Sequence, residues 1–156
     1  MKFNLMSIFA LVFILSIFGA TAQSSKQQSL KLIKYKDNIN APLSVIEKAF
    51  IKEVYADKYN EYIVNRPQKL KDLKNLLRNR ITIKKMPDVT KHTKKYTLLS
   101  EAGLFNSYNK ALTFDKKYVK NSFNVLKYNL NFFGRGTKTY RIDGTPYFII
   151  IKSQHY

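Results

Sequence analysis

Two tyrosines set among lysines are the side chains of this chain most open to ligand chemistry: Tyr108 and Tyr118, with Lys110, Lys116, Lys117 and Lys120 close by. An aromatic ring offers a flat apolar face to a sugar or a base, and ammonium groups beside it add attraction for an anion. Tyrosines that anchor a loop to its core produce the same pattern. A second basic group, Lys69, Lys71, Lys74 and Arg78, surrounds a leucine stripe made by Leu70, Leu73, Leu76 and Leu77. A helix of that kind can lie on a membrane or track phosphates, although such a stripe ordinarily faces its own core.

Catalytic constellations are sparse. With no cysteine there is no thiol nucleophile and no disulfide, and the histidines are limited to His92 and His155. A Ser-His-Asp arrangement would have to use one of those two, and the clustered ligands of a zinc site are missing. No cofactor or metal is implied. Gly134-Arg135-Gly136 lacks the Gly-Lys-Ser/Thr ending and following helix of a phosphate loop, and reads as a turn. A glycosidase would need two acids converging across a cleft, which spacing along a chain does not reveal. The balance is against an enzyme.

The elements that must position these groups follow from local signals. Ser44-Val45-Ile46-Glu47 is a capping box that starts a helix, with Ile46, Ala49, Phe50 and Val54 as its apolar stripe. The stripe shifts at Tyr55, so a break is expected near Ala56-Asp57, with Asp57 capping a second short helix that carries Tyr59, Tyr62 and Ile63. Pro67 suits the first turn of a third. Ile81 to Lys84 alternates and ends at Met86-Pro87, as a short strand on a sheet edge would; Asp88 to Lys94 reads as a loop, and Lys95 to Leu99 as a second short strand. From Ser100 to Ser122 the periodicity fades, and a long irregular stretch in a compact domain is either functional or hides an element. Leu126 to Ile151 reads as a three-stranded antiparallel meander. Asp143-Gly144 serves as its two-residue hairpin loop, pairing Tyr140 with Tyr147 and Lys138 with Ile149. Its inner face holds Leu126, Tyr128, Leu130, Phe132, Tyr140, Ile142, Tyr147, Ile149 and Ile151; the outer face carries Lys127, Asn129, Asn131, Thr139 and Arg141, with Phe148 and Ile150 as apolar exceptions read as covered by another segment. The fold class is therefore α+β, with two or three N-terminal helices packed on an antiparallel sheet.

Lys2 precedes an apolar run from Ile8 to Phe18, and Ala20-Thr21-Ala22 supplies small residues before a cut, the layout of a secretory signal peptide over residues 1–22. Residues 23–40 read as a flexible N-terminal segment and 41–156 as a single domain. The leader holds one of the 28 basic residues and none of the 10 acidic ones, so the exported part keeps nearly all of the chain's net charge of +18. A field of that sign favours anionic lipid, lipopolysaccharide or acidic glycan, with nucleic acid disfavoured for an exported chain and a protein partner also admitted.

Tyr55 to Asn60, Pro67 to Leu70, Leu104 to Asn109 and Phe123 to Tyr147 together resemble short exported proteins of unassigned function from Bacteroidota-type Gram-negative bacteria. The resemblance covers most of the exported chain. It implies a Gram-negative envelope, in the periplasm or secreted beyond it, and no activity, ligand or catalytic residue. The expected function is that of a non-enzymatic exported protein binding an anionic envelope component or acidic partner. The alternatives are a small secreted hydrolase acting on an envelope polymer and a protein-interaction module.

Overall fold

The computed structural model describes residues 31–86 and 96–155. The expected leader, the Asp88 to Lys94 loop and His92 lie outside them. The fold is α+β: helical segments pack on a four-stranded sheet whose strands, numbered along the chain as β1 (Ile81–Lys85), β2 (Thr97–Leu98), β3 (Lys138–Arg141) and β4 (Tyr147–Ile151), lie in the order β1-β4-β3-β2. Among the described residues no helix is long and apolar enough to cross a membrane.

Helix α1, Val45–Tyr55, starts at the capping box, where the Ser44 hydroxyl accepts from the Glu47 N–H at 3.1 Å and the Glu47 carboxylate accepts from the Ser44 N–H at 2.8 Å. Its buried stripe matches the expected one in part: Val54 is buried and Phe50 packs against the core, whereas Ile46 and Ala49 are exposed. Ile51, Val54 and Tyr55 face the core, while Val45 is 86% and Ile46 54% exposed. The helix carries apolar residues on more than one face, and the docking of Glu47 toward Arg78 selects which face turns inward. Arg78 donates to both oxygens of Glu47, at 2.6 and 2.7 Å, and to the carbonyls of Asn38, Ala41 and Pro42. The Arg78 guanidinium holds the Glu47 carboxyl below its ordinary value of 4.5, against an opposing effect of burial. The stabilisation this gives is complete above the ordinary value and is lost as the pH falls through the depressed one. Glu47→Gln should therefore cost about 1–2 kcal/mol at neutral pH, and the difference from the parent protein in urea melts should shrink below about pH 4.

The helix breaks where the stripe shifts. Ala56 takes a positive φ of 46°, followed by a 3-10 turn, Ala56–Lys58, and a π turn, Asn60–Val64. Asp57 makes no side-chain cap there; it lies inside the 3-10 turn, whose N-cap position is Tyr55. Helix α2, Pro67–Asn75, has Pro67 in its first turn and runs into a second π turn, Leu76–Arg80. Residues 31–40 are tied to the far end of the chain and to α2: Leu32 bridges His155, the Ile33 N–H donates to the Gln154 carbonyl at 2.9 Å, and the Tyr35 hydroxyl accepts from the Gln154 side chain at 3.0 Å and donates to Asp72 of α2. Burial, reinforced by Asp72, pushes the Tyr35 phenol up to about 12.

Strand β1, Ile81–Lys85, pairs antiparallel with β4, Tyr147–Ile151, along its whole length. Strand β3, Lys138–Arg141, pairs antiparallel with the other side of β4, and β2, Thr97–Leu98, adds to β3 in parallel, so the sheet is mixed rather than wholly antiparallel. Two features of the meander differ from expectation. The β3–β4 register is displaced by two residues, with Tyr140 opposite Ile149 and Lys138 opposite Ile151. A two-residue loop of the expected kind needs positive φ at both central positions, but only Gly144 adopts it, at 63°. Asp143 is held instead by the Ser100 N–H and hydroxyl, and the loop widens until Thr145 closes on the Ile142 carbonyl. An even shift leaves every side chain on its own face, so Ile142, Ile149 and Ile151 remain in the core.

The expected first strand, Leu126 to Phe132, is not a strand. It opens with a 3-10 turn, Val125–Lys127, in which the Leu126 N–H donates to the Asn124 side chain at 3.0 Å, and its backbone then bonds to Gly103 and Phe105 rather than to β3. Asn124 is itself buried and donates to the Phe50 carbonyl and Glu53 of α1. The helix thereby takes the backbone away from the sheet. The outward Phe148 is covered, being 2% exposed with Tyr96 edge-on at 5.1 Å.

Candidate functional site

The irregular stretch after β2 begins with an element that has no clear periodicity in the sequence, helix α3, Leu99–Ala102. It places Ser100 against Asp143, and the carboxylate accepts from the Ser100 N–H at 3.0 Å and its hydroxyl at 2.5 Å. Between this contact, the 114–118 stretch and the β3–β4 turn opens a cleft of about 600 Å³. That volume lies within the range of small-molecule sites, roughly 300–1,000 Å³.

Aromatic rings form part of its wall. Tyr118 packs on Tyr147 with ring centroids 4.4 Å apart and on Phe123 at 5.3 Å, and Phe123 stacks on Tyr128 at 5.6 Å. Lys116 and Lys117 line the cleft and are exposed. Asp115 and Asp143 line it too, but both carboxylates are occupied. Asp115 accepts from the Lys127 ammonium at 2.8 Å and the Tyr128 hydroxyl at 2.7 Å. Lys127 is only 5% exposed and also meets Glu53 at 3.7 Å.

The electrostatics decide what chemistry is available. Partial burial works against charge on Asp143, yet the bonds from Ser100 outweigh it and hold the carboxyl below its ordinary value. It stays ionised at neutral pH and cannot serve as a general acid. Burial and the bond to Asp115 push the Tyr128 phenol above its usual range, so it remains a protonated donor and not a base. With Asp115 cancelled by Lys127, the cleft retains Lys116 and Lys117 against Asp143. Ser100 donates its hydroxyl straight to Asp143, where a hydrolytic triad would place an imidazole between the two, and the described histidine, His155, sits in the bridge to Leu32 with its Nδ1 buried and unbonded. Among the described residues no group of His, Cys, Asp and Glu could hold a metal ion.

The residues singled out in the sequence divide sharply. Lys116, Lys117 and Tyr118 come together in the cleft. Tyr108 does not; it packs against Tyr55 at 5.0 Å, Tyr62 at 4.8 Å and Phe105 at 5.8 Å, anchoring the loop to α1. Lys74 is buried and donates to the Ala41 carbonyl at 2.8 Å, and Arg78 latches Glu47, so two of the four basic groups around α2 serve the fold. Lys69 is half-buried over the Tyr55 and Tyr62 rings, at 5.4 and 5.7 Å. Lys71, Lys110 and Lys120 are exposed and line neither this cleft nor a smaller cavity beside α2. Tyr147, Asp115 and Asp143 carry no local signal of a site, because they join the cleft only through the loop packing. Compared with known protein families, with curated proteins and with solved structures, the chain gives no match.

Proposed function

We propose that this is an exported, non-enzymatic binding protein for an acidic glycan of the cell envelope, held in the cleft between the 114–118 stretch and the β3–β4 turn. The observation that carries this reading is the placement of Lys116 and Lys117 beside the Tyr118–Tyr147 aromatic pair on one concave surface. A pyranose ring would lie against the aromatic wall while its carboxylate or sulfate meets an ammonium group. The excess charge supports the same class of partner. Glu47, Glu53, Glu61 and Asp115 pair with Arg78, Lys127, Lys58 and Lys127, leaving many lysines for an external anion.

The test is to titrate the purified protein with heparin, lipopolysaccharide and anionic vesicles at two salt concentrations, with neutral vesicles as control. Lys116→Gln with Lys117→Gln should weaken heparin binding about tenfold. Lys71→Gln with Lys110→Gln removes the same charge away from the cleft and should leave binding within about twofold. Equal loss in both pairs, or binding to every polyanion that vanishes with salt, would reduce the attraction to net charge alone.

The convergence of Asp115 and Asp143 on one cleft favours a second reading, a small hydrolase acting on an envelope polymer. Cleavage of a glycan that persists in the parent and is lost in Asp143→Asn would establish it. Against it stand the internal donors that hold both carboxylates.

A further inference from the structure

A second cavity of about 250 Å³ is lined by Val54, Leu73, Leu76, Phe105, Leu130 and Phe132, among other apolar and aromatic groups. Its polar lining is short: Lys69, Asp72 and Asn129. Asp72 is engaged, accepting from Tyr35 and from Gln68 at 3.0 Å. Lys69 has no such partner. It lies over two aromatic rings, and among the described residues no carboxylate forms an ion pair with it. Burial pushes its pKa down and the neighbouring Arg66 adds to the effect. Asp72 spends its acceptor oxygen on Tyr35 and Gln68, so the ammonium that no carboxylate pairs is the polar group left for a ligand, and such a cavity is complementary to an amphiphile with one negative end.

We propose that this cavity binds a medium-chain carboxylate, its acyl tail among the apolar walls and its carboxylate on Lys69. At about 30 Å³ for each water-sized group the space admits roughly eight such groups, so the tail is of about octanoate length. The ligand anion relieves the repulsion from Arg66 and gives the half-buried ammonium the partner it lacks, while the tail removes apolar surface from water. This site shares only the Tyr128 wall with the glycan cleft and stands independently of it.

The probe is octanoate, titrated by calorimetry against the purified protein, with 1-octanol as the uncharged analogue. One octanoate per chain is expected. Lys69→Met keeps the apolar stem and should weaken octanoate about tenfold while leaving 1-octanol unchanged. Asn129→Trp, at an exposed position on the cavity lining, should block both ligands with the circular dichroism spectrum retained. Lys116→Gln with Lys117→Gln should bind octanoate as the parent does. Absence of saturable octanoate binding, or octanoate affinity indifferent to both Lys69→Met and Asn129→Trp, or 1-octanol bound as tightly as octanoate, would overturn the proposal.

Discussion

Arg80→Ala is expected to cost about 3–5 kcal/mol, from buried acceptors left without a donor together with the cavity that the side chain vacates. Arg80 is 4% exposed at the end of the π turn that leads into β1. Its guanidinium donates to the Lys152 carbonyl at 3.0 Å, to the Gln154 side chain at 3.1 Å and to the Phe132 carbonyl. Its own carbonyl accepts from the Lys152 N–H at 2.9 Å. One side chain thus joins α2, the C-terminal segment and the end of the 126–132 stretch, and alanine leaves three acceptors without donors as well as a cavity. Urea denaturation should show a lower midpoint at unchanged slope, with amide exchange accelerated first at Ile33 and Lys152. Arg80→Met restores volume without the donors, and recovery of more than half the loss would show that packing, not hydrogen bonding, is what Arg80 supplies.

Lys127→Met should cost about 2–4 kcal/mol. The ammonium is buried between Asp115 and Glu53, and Glu53 also accepts from the buried Asn124. Without it, Asp115 keeps the Tyr128 hydroxyl but loses its cation in a partly buried position, and the 114–118 wall of the cleft loses its tether to α1. The check is a double-mutant cycle. Asp115→Asn on the Lys127→Met background should be less damaging than Asp115→Asn alone, with a coupling of about 1–3 kcal/mol. A coupling near zero would mean that the pair is solvated and that the wall is held by Tyr118 and Tyr128 instead. Because the wall carries Lys116 and Lys117, the same substitution should also weaken heparin binding.

Features encoded within a few residues are legible in the amino-acid order itself. The Ser44–Glu47 box, the break at Ala56, Pro67 in the first turn of α2 and the Ile81–Lys85 edge strand each rest on contacts or geometry local to the chain. The alternation that puts Ile142, Ile149 and Ile151 on one face survives a two-residue difference in register, since the period is two.

Where a backbone group or a charge finds its partner far along the chain, local pattern misleads or is silent. Alternation assigns Lys127 to the solvent face; Asp115 and Glu53 bury it. Leu126 to Phe132 has the composition of a strand, but the Asn124 side chain takes the Leu126 N–H and the 103–105 backbone pairs with Lys127 and Asn129. By itself, the sequence determined an α+β chain without cysteine, strongly basic, with the helix starts at Ser44 and Pro67 and the strands within 81–85, 138–141 and 147–151 in place. The tertiary structure alone decided which lysines face solvent, which acids are neutralised, and that Lys116, Lys117, Tyr118 and Tyr147 share one cleft. Local propensity acts over a turn or a hairpin, whereas a cleft and a buried ion pair exist only once segments distant in sequence have packed.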